Sequence, residues 1–132
     1  MRKKNAFTLH TRLSKNTNFG LYLGESNFMV SIAKNVTDIE NIYTYFEFCE
    51  FGGWDEFDVL LSIFINIMKC EILEELDGIY SRHCTLKKNN FIFKLMYHED
   101  FGNCLCNQYK KDDNYYKMLE KLAYEAASKL AK

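Results

Sequence analysis

Cys104 and Cys106, with Cys84 and His83 upstream, are the residues in this 132-residue sequence with the chemistry to hold a metal ion. Zinc takes thiolate and imidazole ligands, but its structural sites space paired cysteines more widely, and a strand pleat points His83 away from Cys84. Small buried thiols on an apolar face explain the same residues more simply, and no metal is expected. His98-Glu99-Asp100 gathers an imidazole and two carboxylates, the groups of acid–base chemistry. A histidine needs a fixed partner to be tuned, so this tripeptide reads as a solvated turn.

No glycine-flanked serine elbow is present, and no glycine loop precedes a lysine in the way that cradles phosphate. Gly20 and Gly24 belong to a hairpin, and Gly52-Gly53 is followed by Trp54. Asp100-Phe101-Gly102 spells the magnesium-binding tripeptide of protein kinases, but the glycine-rich loop, partner lysine and catalytic loop that give it meaning are missing. The expectation is a protein without catalytic activity and without a cofactor.

Charge is the more informative signal. Residues 1–40 carry six Lys/Arg against three Asp/Glu, residues 41–78 one against nine, and residues 79–132 ten against six, so a net charge of −1 conceals an acidic middle. Its carboxylates are Glu47, Glu50, Asp55, Glu56, Asp58, Glu71, Glu74, Glu75 and Asp77. A coherent anionic face speeds and selects association with a basic partner, and these nine are the candidate partner-binding residues. The competing chemistry is a polyanion site built from Arg2, Lys3, Lys4, Lys87, Lys88, Lys110 and Lys111, with Tyr22, Tyr43 and Tyr45 stacking on bases. Those lysines fall at turns and termini, where solubility alone places them.

The elements that position these groups follow from periodicity. Phe57, Leu61, Phe64, Met68, Ile72 and Leu76 recur at three-and-four spacing, which predicts one long helix over 54–77 that holds seven of the nine acids and stops at Gly78. Asp55, Glu56 and Asp58 suit its first turn, beside the unpaired amides and the positive dipole end. Alternation predicts strands over 7–13, 19–23, 28–32 and 42–51, and a three-stranded meander over 79–86, 90–98 and 103–107. If Leu86 pairs with Phe91 and His98 with Asn103, then Cys84, Cys104 and Cys106 share the face of Phe91, Phe93, Leu95 and Tyr97. Asp112 or Asp113 caps a last helix through Tyr116, Leu119, Ala123, Ala126 and Leu130, with Lys129 and Lys132 at its end.

The order strands, helix, strands, helix predicts one α+β domain over 1–132, a mainly antiparallel sheet of about seven strands on a long central helix and a C-terminal helix. With 48% hydrophobic residues, 16% aromatic, no proline and six glycines, the sequence is a folding one without linkers. The basic start is followed by alternation rather than an apolar run, so no signal peptide or membrane span is expected, and five cysteines then read as reduced thiols of a cytoplasmic protein.

Phe91-Ile92-Phe93-Lys94-Leu95-Met96-Tyr97-His98-Glu99-Asp100-Phe101-Gly102-Asn103, followed by Tyr116-Lys117-Met118-Leu119-Glu120-Lys121-Leu122, resembles the strand, acidic-glycine turn, strand and terminal helix of small bacterial immunity-type proteins encoded beside toxins. It is similar as well to small phage-encoded inhibitors of bacterial defence, such as anti-CRISPR proteins. The resemblance covers the last part of the chain and implies a protein that works by binding another protein. The expectation is thus a non-enzymatic inhibitor or immunity protein that blocks a basic protein partner, a toxin or a nucleic-acid-handling defence effector such as a CRISPR nuclease, through an acidic helix. The alternative is a small nucleic-acid or nucleotide binder that uses the basic turns and outward tyrosines.

Overall fold

The computed structural model of the chain describes residues 30–37 and 42–130; the strands predicted over 7–13 and 19–23, and the start of the one over 28–32, lie outside the described residues. The described elements run β1 (Ser31–Thr37), β2 (Tyr43–Cys49), α1 (Trp54–Ser62) continued by a π-helical turn (Ile63–Ile67), β3 (Glu71–Asp77), β4 (Ser81–Lys88), β5 (Phe91–His98), β6 (Gly102–Cys106) and α2 (Asp113–Leu130). The fold is α+β. The six described strands form one antiparallel sheet in the order β1-β2-β6-β5-β4-β3, an arrangement that differs in detail from the four-strand, helix, three-strand, helix order expected. None of the described helices is long and apolar enough to cross a membrane.

The principal core lies between one sheet face and the helices. Ile32, Phe46, Phe48, Cys84, Leu86, Phe93, Leu95 and Leu105 meet Phe57, Leu60, Ile63 and Phe64 of the first helical segment and Tyr116, Leu119, Leu122, Ala123 and Ala126 of α2. Each fully buried leucine or phenylalanine contributes about 1.5–3 kcal/mol, so this layer dominates the stability of the fold. The last helix lies where its periodicity predicted. Asp112 caps it, its Oδ1 accepting from the Tyr115 amide at 2.8 Å. A smaller cluster, Ile42, Tyr45, Met96, Phe101, Cys104 and Cys106, is buried on the other side of the sheet.

The long helix is the main correction. Its α-helical part ends at Ser62, and the wider turn after it closes with Met68 N–H donating to the Ile63 carbonyl (3.0 Å) and Cys70 N–H to the Phe64 carbonyl (2.8 Å). Lys69 takes φ 63°, the left-handed conformation that terminates helices, and the Lys88 ammonium donates to the Met68 carbonyl at 2.7 Å. The following residues, Glu-Ile-Leu-Glu-Glu-Leu-Asp, favour helix by propensity yet pair with β4, because ladder bonds to a neighbour outweigh a propensity difference of a few tenths of a kcal/mol per residue. Gly78 is therefore not a helix stop. It lies in the β3–β4 connection, donating its N–H to the Ser81 carbonyl at 2.7 Å.

The meander forms, with a different register. Lys88 pairs with Phe91 across Asn89-Asn90, where Asn89 takes φ 57°, which keeps Cys84 on the face of Phe93 and Leu95. At the next turn His98 pairs with Gly102 (φ 70°), one residue earlier than Asn103. A one-residue shift exchanges the faces, so Cys104 and Cys106 lie on the side opposite Cys84. Asn103 gains a structural role by the same shift. Fully buried, it donates to the carbonyls of Phe51 (2.9 Å) and Gly53 (3.0 Å) and fixes the chain leading into α1.

Candidate protein-binding edge

β3 ends the order of described strands, pairs with β4, and exposes all seven of its residues. The pairing places them on two sides. Ile72 stands opposite Leu86 and Glu75 opposite Cys84, both core residues, so Ile72 and Glu75 point to the helix side. Glu74, opposite Thr85, and Leu76, opposite His83, point to the other. Leu73 is the extra residue where the register shifts. Ile72, Leu73 and Leu76 are all exposed, Leu76 to 57%, as are Ile79 (82%) and Tyr80 in the connection that follows. Contiguous exposed apolar side chains mark interaction surfaces more often than isolated ones do.

The nine acids expected at a binding face divide by environment. Glu71, Glu74, Glu75 and Asp77 lie on this strand rather than on a helix. Asp55 and Asp58 are exposed on α1, and Glu50 is exposed in the turn after β2 with φ 62°. Glu56 is half-buried and accepts from the Gly53 amide at 2.8 Å, an N-terminal cap. Glu47 is buried, with Asn35 donating to its carboxylate at 3.4 Å, and cannot serve as a surface contact.

Two further acids are neutralised within the chain. The Arg82 guanidinium, 11% exposed, grips Asp58 with Nη2 to Oδ1 at 2.8 Å and Nη1 to Oδ2 at 3.0 Å, and reaches Asp77 through Nε at 3.5 Å. It also donates to the Trp54 carbonyl and lies 4.5 Å from the Phe57 ring centroid and 5.0 Å from that of Trp54. This hydrogen-bonded pairing holds the Asp58 carboxyl below its ordinary value. Glu71 stands opposite Lys87. The uncompensated pair is Glu74 and Glu75 in the middle of the strand; among the described residues no ion pair holds either.

The groups of acid–base and thiol chemistry are packed against their neighbours. His98 Nδ1 accepts from the Asp100 amide at 3.0 Å and its ring lies on Phe101, 4.9 Å between centroids, so the expected solvated turn is a packed one. All five cysteines are buried and outside any disulfide, and burial pushes the Cys84 thiol up to about 12, far from the thiolate a nucleophile needs. His83 and Cys106 line one crevice of about 40 Å³, room for a water molecule. Among the described residues no group of three His, Cys, Asp or Glu converges on a metal position.

The basic residues are scattered, with one exception. Tyr45 is buried and Tyr43 half-buried, while Arg2, Lys3, Lys4 and Tyr22 lie outside the described residues. Lys88 is occupied by the Met68 carbonyl. Lys110 and Lys111 join Lys34 and Lys117 around a cleft of about 360 Å³ that also contains Asp113 and Glu120. Sequence reasoning did not single out Arg82, Asn103 or the exposed apolar residues of β3. The first two depend on partners 24 and 50 or more residues away, and the last were assigned to the stripe of a helix. No family model, curated protein or solved structure matches the chain, so its own geometry carries the functional reading.

Proposed function

We propose that the chain is a non-enzymatic protein-binding module of the inhibitor or immunity type, which blocks a basic protein partner such as a toxin or a nucleic-acid-handling defence effector. The single observation that supports it is the composition of β3: seven consecutive exposed residues on an edge strand, with Glu71, Glu74 and Glu75 interleaved with exposed Ile72, Leu73 and Leu76. The division of labour follows from magnitudes. An exposed ion pair is worth only about 0–1 kcal/mol, whereas oriented charge changes association rates by about 10–10³, so the acids select and steer while the apolar groups hold. Occupying a surface on the partner that otherwise meets a polyanion is how an acidic strip blocks a nucleic-acid-handling protein.

The test is affinity capture from cell lysate with the tagged full chain beside its Glu71→Lys, Glu74→Lys, Glu75→Lys variant. Retention of a basic protein by the native chain and its loss from an equally stable variant is the expected result. The same proteins on both would sink the proposal. The lysine-lined cleft beside α2 favours a second reading, a nucleotide or nucleic-acid binder. That reading predicts oligonucleotide binding that Lys110→Ala with Lys111→Ala abolishes and that the β3 charge reversals leave intact or strengthen.

A further inference from the structure

The two strands that end the described order are built differently. Along β1, Ile32, Ala33, Asn35 and Thr37 are buried, and the exposure of the strand is limited to its remaining positions. β3 is exposed from end to end and has neither lysine nor proline; what it carries against self-pairing is the register shift at Leu73 and its own carboxylates. At about 3.4 Å per residue it offers a ladder about 20 Å long, in which alternate residues direct N–H and C=O away from β4.

We propose that β3 takes up an extended segment of a partner protein as an additional strand, and that the order of side chains on β3 specifies that segment as apolar, basic, basic, apolar. This rests on the reading of β3 as a protein-binding edge and adds how the partner is held. Each residue of an added strand meets the residue opposite it on the same side of the sheet. Ile72 on the helix side and Leu76 on the other call for apolar neighbours, and Glu74 and Glu75 between them call for one cation on each side. The order reads the same in both directions, so it specifies the segment whether strand addition is parallel or antiparallel. Backbone bonding supplies affinity in such complexes and the side-chain order supplies selectivity. A second copy of the chain is the wrong occupant, because β3 against β3 sets the acidic middle of one strand against that of the other, and opposed like charges destabilise a strand pair.

The experiment uses the ¹⁵N-labelled full chain and a capped synthetic hexapeptide, threonine-valine-lysine-lysine-valine-threonine. Two controls accompany it: the same peptide N-methylated at alternate amides, and one with glutamates in place of the lysines. The expected result is slowing of amide exchange at β3 by about tenfold or more on binding, with either control binding about tenfold or more weakly. Equal binding of the N-methylated peptide, without β3 protection, would overturn strand addition and leave a contact through carboxylates alone, so the acidic-surface reading would survive it. No binding at millimolar peptide would also overturn strand addition, and the charge-reversal capture would then decide the acidic-surface reading by itself. Slow exchange in the free chain at the β3 amides that point away from β4 would show the edge already taken, by another part of the chain or by a second copy, and would overturn the proposal too.

Discussion

Arg82 contacts two acids, a backbone carbonyl and two rings at once. Its guanidinium is nearly enclosed, sits against Phe57 and Trp54, and joins the start of α1 to the end of β3 through Asp58 and Asp77. Asp58 is 60% exposed, so solvent screens the ion pair and most of the stabilisation comes from packing and from the bond to the Trp54 carbonyl. Arg82→Ala should therefore cost about 2 kcal/mol in urea unfolding, against less than about 1 for Asp58→Asn. Arg82→Lys should restore little of it, because an ammonium cannot reproduce the fork on Asp58. Pairing keeps the folded Asp58 carboxyl below its ordinary 3.8, so its small contribution is complete above that pH and is lost as pH falls through the lowered value. Asp58→Asn should remove that part of the acid dependence. Equal losses from Arg82→Ala and Asp58→Asn would mean the ion pair, not the packing, carries the link. None of this was legible in the sequence, where Arg82 stands alone in a strand, because its partners are brought to it by the fold.

The elements were legible where periodicity and tertiary pairing agree. The last helix, from its Asp112 cap through Tyr116, Leu119, Ala123 and Ala126, follows a stripe that has only one use, and the strand of Tyr45, Phe46 and Phe48 is fixed by its aromatics. Residues 69–77 were illegible because Met68, Ile72 and Leu76 satisfy helical spacing, while the register shift at Leu73 breaks the alternation by which a strand is recognised. The deciding feature is the left-handed Lys69, which no residue type announces. It also gives a test by sign. At φ 63° a lysine is strained, so Lys69→Gly should stabilise the folded chain by about 0.5–1 kcal/mol. In a continuous helix the same substitution would cost about 1 kcal/mol. Urea unfolding of the two proteins separates the alternatives, and a destabilised variant would argue for helix through this point. The cysteine faces were missed for a smaller reason: the turn at Glu99-Asp100-Phe101 holds one residue fewer than assumed, and a strand has no tolerance for an odd shift.

At the scale of the molecule, the acidic edge must also explain how the free chain avoids its own kind. Ile72, Leu73, Leu76, Ile79 and Tyr80 are exposed apolar side chains along a strand edge that has neither lysine nor proline, a composition that favours strand-to-strand association. With no proline or lysine in β3, the barrier is the mid-strand carboxylates together with the register shift at Leu73, since pairing β3 with β3 opposes those charges. Glu74→Gln with Glu75→Gln removes the charge while keeping the size and shape of the side chains. Sedimentation velocity of this double variant should show self-association about tenfold tighter than that of the native chain, because losing two opposed like-charge contacts is worth about 1–2 kcal/mol. Raising the salt concentration should narrow the difference, since screening weakens the same repulsion in the native protein. If the native chain associates as readily as the variant at low salt, the acids do not guard this edge. Their selective role would then have to be sought in partner binding alone.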